Sequence, residues 1–395
     1  MGQKLTTMLK TSSLCLCFVL SIAACRPEEK FPTKVQPEIA ENIIQHNSHP
    51  GHITNSIQSK NGDIMACGTD NAGNSVLWAI SHNYGTIIWS KSYPVSEYGT
   101  FADLEEKKDG GFMICGIKTS DDGNADIHMC NVTDEGLIVW HKSVGSPQDE
   151  VNVSMTRATG GQYVVVAAQK NSTYDLFDMW MTESGSEWHL VFEQPGEQIP
   201  YCVTPDAAGG IIITGTHNDN IVSPARLQVL KLGNFLDTIF NLSKLMNNGH
   251  TIARHSIEIA NGAVITCGSR SIAGMVRGFV CKISKTGVIE WDREYSCDSN
   301  LVIEKLVSDG DGFKVAGHVY GNCTGCNSRS LLISLDVQGN ELWRNIYEPE
   351  NNKDETAVNL FPGNKSALLQ NSKDRNTGEE RFFVQYIDQK GAALE

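Results

Sequence analysis

A unit of about 50 residues recurs along this chain, and the recurrence limits the fold more than any other feature does. Trp89, Trp140, Trp188, Trp291 and Trp343, with Phe240 in the equivalent place, stand 48 to 52 residues apart in contexts such as GTIIWSKSY, GLIVWHKSV and GVIEWDREY. A second ladder has the same period: DIMACG, GFMICG, YVVVAA, IIITG, AVITCG and FKVAG, with SALLQN as a degraded seventh copy. Each unit reads as four short strands. The first strands are ITNSIQ, FADLEE, VNVSMT, YCVTP, IARHSIEI, LVIEKL and TAVNL. A turn such as KNGD or KDGG leads to the apolar second strand, a polar loop to the third, and another turn to the Trp-bearing fourth. Short apolar runs bounded by Gly, Asn and Asp signal antiparallel hairpins, and no amphipathic helix of useful length interrupts them.

Four strands per unit with one aromatic predict an all-β chain, a seven-bladed β-propeller of four-stranded antiparallel blades. After FFVQYIDQKG only four residues remain, so the last blade lacks its fourth strand. Aligning His46-to-Ile57 with Tyr93-to-Leu104 puts Ala40-to-Gln45 in fourth-strand register, and this N-terminal strand is expected to close the last blade, because an unpaired edge would remain otherwise. With 40% hydrophobic and 20% charged residues, the chain is neither disordered, nor collagen-like, nor a polytopic membrane protein. Its net charge of −14 argues against a nucleic-acid partner, since the long-range field repels phosphates.

Lys4 and Lys10 precede an apolar run from Leu14 to Ala24, the pattern of a secretory signal peptide. Its end, Ile22-Ala23-Ala24-Cys25, resembles the bacterial lipobox. That resemblance implies cleavage before Cys25, a diacylglycerol thioether on its sulfur and an N-acyl lipid of the palmitate type on its new amino group. The lipids would partner the chain with a bilayer. Arg26 follows the cysteine where many inner-membrane lipoproteins carry Asp, which favours the outer membrane, on its periplasmic or cell-surface face. Glu28-Glu29 resembles the acidic surface-export tags of Bacteroidetes lipoproteins, and reads equally as a solvated linker. The expected organisation is a signal peptide over 1–24, a lipidated Cys and flexible spacer over 25–38 with Pro27, Pro32 and Pro37, and a propeller over 39–395.

The turn-and-Trp pattern in VTDEGLIVW, ISKTGVIEW and LDVQGNELW resembles the repeats of quinoprotein-like propellers. Whole units such as DGGFMICG followed by ADIHMCNVTDEGLIVWHKSVG resemble the propeller-repeat lipoproteins of Bacteroidetes. These motifs imply an architecture and carry no activity with them.

The recurring Trp reads as blade-to-blade packing, because one repeat position has one structural job. Cys67, Cys115 and Cys267 share a repeat position with Ala316 and Thr214 and read as small buried spacers, as do Cys130 and Cys281. Cys323 and Cys326 lie in the polar loop YGNCTGCNS. A lone CxxC is a poor zinc site, and in an exported chain a disulfide is the simpler reading. Cys297 could pair with either of them. His46, His49 and His52 in HNSHPGH are weak metal candidates without an evident carboxylate or Cys partner. In SDDGNAD, the residues Asp121, Asp122, Asn124 and Asp126 could offer oxygens to calcium, but the spacing and distal Glu of an EF-hand are missing, so the segment reads as a solvated hairpin.

No GxSxG elbow, HExxH pair, P-loop or dinucleotide fingerprint is present. No catalytic residue, metal or cofactor is therefore assigned. Polar loops on a regular scaffold suggest a membrane-anchored, non-enzymatic propeller that binds a protein, glycan or peptide partner. The loops concerned are those around Asp121 to Asp126, Asn171 to Asp175, His217 to Asn220, Asn322 to Ser328 and Asp374 to Glu379. The alternative is a propeller hydrolase or lyase that uses acidic residues at the channel mouth.

Overall fold

The computed structural model describes residues 38–40, 48–158, 161–170, 177–183, 189–192, 195–220, 223–321, 326–350, 352–363 and 365–394. Six stretches of chain each form a four-stranded antiparallel meander, here called blades 1 to 6: residues 52–93, 100–144, 150–192, 197–244, 250–295 and 300–347. In each blade the first strand of the stretch pairs with the second, the second with the third and the third with the fourth.

Second strands are apolar without alternation because both of their faces are covered. In blade 3, Val164 and Val166 pack towards blade 4, whereas Val165 and Ala167 pack towards blade 2. One hydrophobic cluster fills each contact between successive sheets, and the cysteines at the repeat position belong to these clusters. Cys67, Cys115, Cys130, Cys267 and Cys281 are free buried thiols, and burial pushes the Cys130 thiol up to about 12. The fourth strands of blades 1 and 2 are edge strands and alternate between half-buried and exposed positions, Tyr93 at the end of the first being buried.

The Trp-x-x-x-Tyr pattern in the fourth strands of blades 1, 5 and 6 is a clamp on the next sheet. Trp291 packs against the turn residue Gly339, where a Cβ would lie 2.7 Å from the indole, and the Tyr295 hydroxyl donates to the Gly339 carbonyl at 2.6 Å. Trp89 and Tyr93 hold Gly136 in the same way, and Trp343 and Tyr347 hold Gly391. These turn glycines have φ of 73 to 81°, a conformation that a side chain disfavours and for which the indole leaves no room.

The expected seven four-stranded blades are corrected to six. The remaining sheet has three long strands, Lys353–Phe361, Ser366–Asp374 and Glu380–Ile387, and its fourth member is the two-residue strand His49–Pro50. This closing sheet packs against blade 6 on one side and blade 1 on the other. Of the segment expected to close it, Ala40 to Gln45, only Ala40 is among the described residues, and it lies elsewhere. Glu38–Ala40 instead runs parallel to Glu341–Tyr347 as a fifth strand on blade 6, and residues 41–47 lie outside the described residues.

The misplacement comes from connection length. Register places His49 opposite Phe382 as Tyr347 stands opposite Ser330, so His49, not His46, holds the Tyr position. After Tyr93 the chain makes a helical turn, Val95–Tyr98, before the next blade, and no such turn follows His49. There the chain turns through Gly51, at φ 120°, where a Cβ would sit 2.8 Å from the Trp78 ring. His49 also replaces the tyrosine as a donor, because its Nε2 donates to the Gly85 carbonyl of blade 1 at 3.0 Å.

Candidate functional site

Every first strand lines the central channel, and every one of them carries a β-bulge. The register slips between Ile53 and Asn55, Phe101 and Asp103, Val151 and Ser154, Pro200 and Cys202, Ala253 and His255, Ile303 and Lys305, and Ala357 and Asn359. A bulge breaks the ladder and leaves a main-chain N–H to be satisfied by something else. The residue after the slip supplies the acceptor in several sheets. The side-chain oxygens of Asn55, Asp103 and Asn359 accept from the N–H groups of Ser56, Leu104 and Leu360 at 2.8 to 2.9 Å.

The same side chains join neighbouring sheets. Asn55 donates to Asp103 Oδ1 at 2.6 Å, while Asp103 Oδ2 accepts from the Ser154 hydroxyl and the Met155 N–H, each at 2.9 Å. Ser154 Oγ accepts from Val203 N at 3.1 Å, and Asn359 donates to the Ser56 carbonyl at 2.7 Å. Lys305 reaches across to Asn55 Oδ1 at 3.3 Å. Burial raises the Asp103 carboxyl above its usual range, although its hydrogen bonds and Lys305 oppose that rise. Two residues further on, Glu105 is pushed up to about 7 by burial and by Asp103.

Inside this ring lies a cavity of about 330 Å³ lined by all six blades and the closing sheet. Its chemistry is concentrated on one side. Arg254 lies over the Tyr201 ring, 4.7 Å from guanidinium carbon to centroid, and its Nε is 3.6 Å from Glu304. His318 stands beside them and His52 lines the cavity from blade 1, and burial lowers the pKa of both imidazoles. Two buried nitrogens there, Arg254 Nε and His318 Nδ1, have no hydrogen-bond partner among the described residues. Buried donors normally have one, so atoms of this kind facing a cavity mark a place where a ligand group can bond.

Of the loop residues singled out from sequence, only Asn124 and Asp126 come together. Asp121 and Asp122 are exposed on a hairpin turn, where the Ser120 hydroxyl donates to Asp122. His217 is buried between the Ser243 hydroxyl and the Pro195 carbonyl, each at 2.7 Å. Asn220 and Asp374 accept from main-chain N–H groups of their own turns. His49 serves ring closure, and His52 stands 3.5 Å from Glu380 and 3.4 Å from the Asn371 amide, so HNSHPGH gathers no metal ligands among its described members. Cys326 is disulfide-bonded. Cys297 is not its partner: it is a free thiol directed at the Ser299 carbonyl at 3.2 Å and packed against the apolar cluster between blades 5 and 6. Cys25, His46, Asn171, Asp175, Asn322 and Cys323 lie outside the described residues.

Sequence reasoning misses the cavity residues because they come from all seven sheets, one to four from each. The nearest signal is a column that follows Tyr201, Arg254 and Glu304 by one residue. When the first strands are aligned on their bulges, a hydrogen-bonding side chain occupies one position in all seven: Asn55, Asp103, Ser154, Cys202, His255, Lys305 and Asn359.

No protein-family profile matches the chain, and no curated protein matches it. Solved structures do share its fold. An ulvan lyase of polysaccharide lyase family PL25, bound to a saccharide containing GlcA, superposes with a TM-score of 0.62 at 9% identity, covering 89% of this chain and 97% of that one. The polysaccharide lyase Uly1 gives 0.52 at 10% identity, over 85% and 90%. The WD40 domain of Neurospora crassa Pan2 gives 0.51 at 10% identity, over 87% and 91%. At these identities the similarity establishes one thing about the chain, a β-propeller fold of the kind used by both lyases and WD40 domains.

Proposed function

We propose that the protein binds an acidic saccharide in the central cavity, with the sugar's carboxylate or sulfate taken by Arg254. The observation that carries this reading is a pair of buried cavity nitrogens without a hydrogen bond among the described residues, His318 Nδ1 and Arg254 Nε, the latter with only a 3.6 Å ion-pair contact to Glu304. A guanidinium presents a planar fork matched to a carboxylate, and a bond made in a partly dry cavity is stronger than one made at the surface. Two structural neighbours are polysaccharide lyases, one holding a uronate-bearing saccharide, which supports an acidic sugar as ligand class.

Titration with uronate oligosaccharides should give saturable binding that neutral oligosaccharides do not reproduce, and Arg254→Ala should weaken it by about tenfold or more, the scale of one charged hydrogen bond. Equal binding by Arg254→Ala, or preference for neutral sugars, would reject the site.

The stacking of Arg254 on Tyr201 favours a second reading, a lyase. A guanidinium that neutralises a uronate carboxylate acidifies the adjacent C–H, and Tyr201 or the neutral His318 is placed to exchange a proton with the sugar. Growth of the ultraviolet absorbance of an unsaturated uronate product would select this reading over simple binding.

We further propose that Cys25 carries the lipid anchor and holds the propeller at the outer membrane. A Cys25→Ala variant should move from the membrane fraction to the soluble fraction, and unchanged retention would refute the anchor.

A further inference from the structure

A second polar site lies on the loops of blade 2, away from the central cavity. We infer that Asp126, Glu150, the Ser146 carbonyl and the Asn124 side chain form a calcium site joining the hairpin after Phe112–Thr119 to the connection between blades 2 and 3. Two carboxylate oxygens converge over Gly145: Asp126 Oδ1 and Glu150 Oε2 lie 2.2 and 2.7 Å from the place where a Cβ on that glycine would be. Glu150 is fully buried. Its Oε1 accepts from the Ser146 N–H at 3.1 Å and the Ser146 hydroxyl at 2.7 Å, but its Oε2, aimed at Asp126, has no partner.

A buried carboxylate oxygen facing a second carboxylate is costly unless a proton or a cation lies between them. Burial, with Asp126 and Asp149 adding to it, pushes the Glu150 carboxyl up to about 7. Asp126 is raised by burial and by Asp122 and Asp149.

The Asn124 amide nitrogen now fills the gap, donating to the Ser146 carbonyl at 2.7 Å and to Asp126 Oδ1 at 3.2 Å. Half a turn of that amide exchanges its nitrogen for its oxygen. Four oxygens would then face one point, an arrangement that repels itself until a hard cation arrives. Oxygen-only ligands, with water completing six to eight positions, suit Ca²⁺ rather than a transition metal. Among the described residues no three His, Cys, Asp or Glu side chains form a ready cage, and this site needs none, because half of its protein oxygens come from an amide and the main chain.

The test is thermal unfolding of the purified protein in EDTA and in millimolar CaCl₂, repeated with Glu150→Gln and Asp126→Asn. The wild-type Tm should rise saturably with Ca²⁺, and both variants should lose that rise. Glu150→Gln should also melt no lower than wild type in EDTA, since a neutral amide removes the carboxylate repulsion, so loss of the response there is not a failure to fold. A wild-type Tm indifferent to Ca²⁺, or a rise retained by either variant, would overturn the site.

Discussion

Asp103→Ala is expected to lower the unfolding free energy by about 3–5 kcal/mol, measured by denaturant titration at neutral pH. The carboxylate of Asp103 is the most heavily used acceptor of the channel ring, taking bonds from the Asn55 amide, the Leu104 and Met155 N–H groups and the Ser154 hydroxyl. It thereby links blades 1, 2 and 3. Truncation leaves two buried main-chain donors and two side-chain donors without an acceptor, at about 1–3 kcal/mol for each group that water cannot reach. Asp103→Asn should cost less. Its remaining oxygen can serve Leu104, whereas the Met155 N–H would face an amide donor. If alanine and asparagine cost the same, the acceptor count is not what matters at this position.

Gly116→Ala should be the next most damaging single change, at about 2–3 kcal/mol, the scale of strain from overpacking. Gly116 stands opposite the residue that precedes the bulge of its blade, where a Cβ would lie 1.6 Å from the Thr100 carbonyl oxygen and 2.7 Å from its carbon. Gly68, Gly215, Gly268 and Gly317 face the same obstruction, with the opposing oxygen 1.9 to 2.2 Å away. This explains the small residues within the second strands, which continue one to four residues beyond each glycine. Blade 3 has Ala168 in that place and accommodates it with a wider slip, from Val151 to Ser154, and Asn152 at φ 54°. A Gly116→Ala protein as stable as wild type would show that blade 2 can make the same adjustment.

The parts of the fold legible in the sequence are those each repeat states for itself. In blades 1, 5 and 6 the Trp and Tyr of the fourth strand meet the same glycine turn, so their recurrence identifies them as packing residues. Ring closure happens once, and no internal copy exists to align it with. Equal spacing places Ala40 to Gln45 in the gap, whereas the helical turn after Tyr93 makes that connection longer than the one after His49, and the actual closing strand is only two residues long. Burial of second strands on both faces can be read from YVVVAA, but a bulge has no hydrophobic signature. Arg254, Glu304 and His318 are unremarkable as isolated residues in strand patterns, and only the closed ring brings them to one wall.

Polar runs on a regular scaffold suggest recognition, which is why the loops stand out in the sequence. Their side chains are largely occupied in holding their own turns, as Asp374 holds Asn376 and Thr377. Arg254 Nε and His318 Nδ1, without hydrogen bonds among the described residues, lie deeper, at the central cavity.

The most direct test is a crystal structure of the protein soaked with a uronate disaccharide. The sugar should occupy the central cavity with its carboxylate within hydrogen-bonding distance of Arg254, and the Nε of that residue should acquire its missing acceptor. Sugar bound on the outer loops, or in the cavity with its carboxylate turned away from Arg254, would contradict the account.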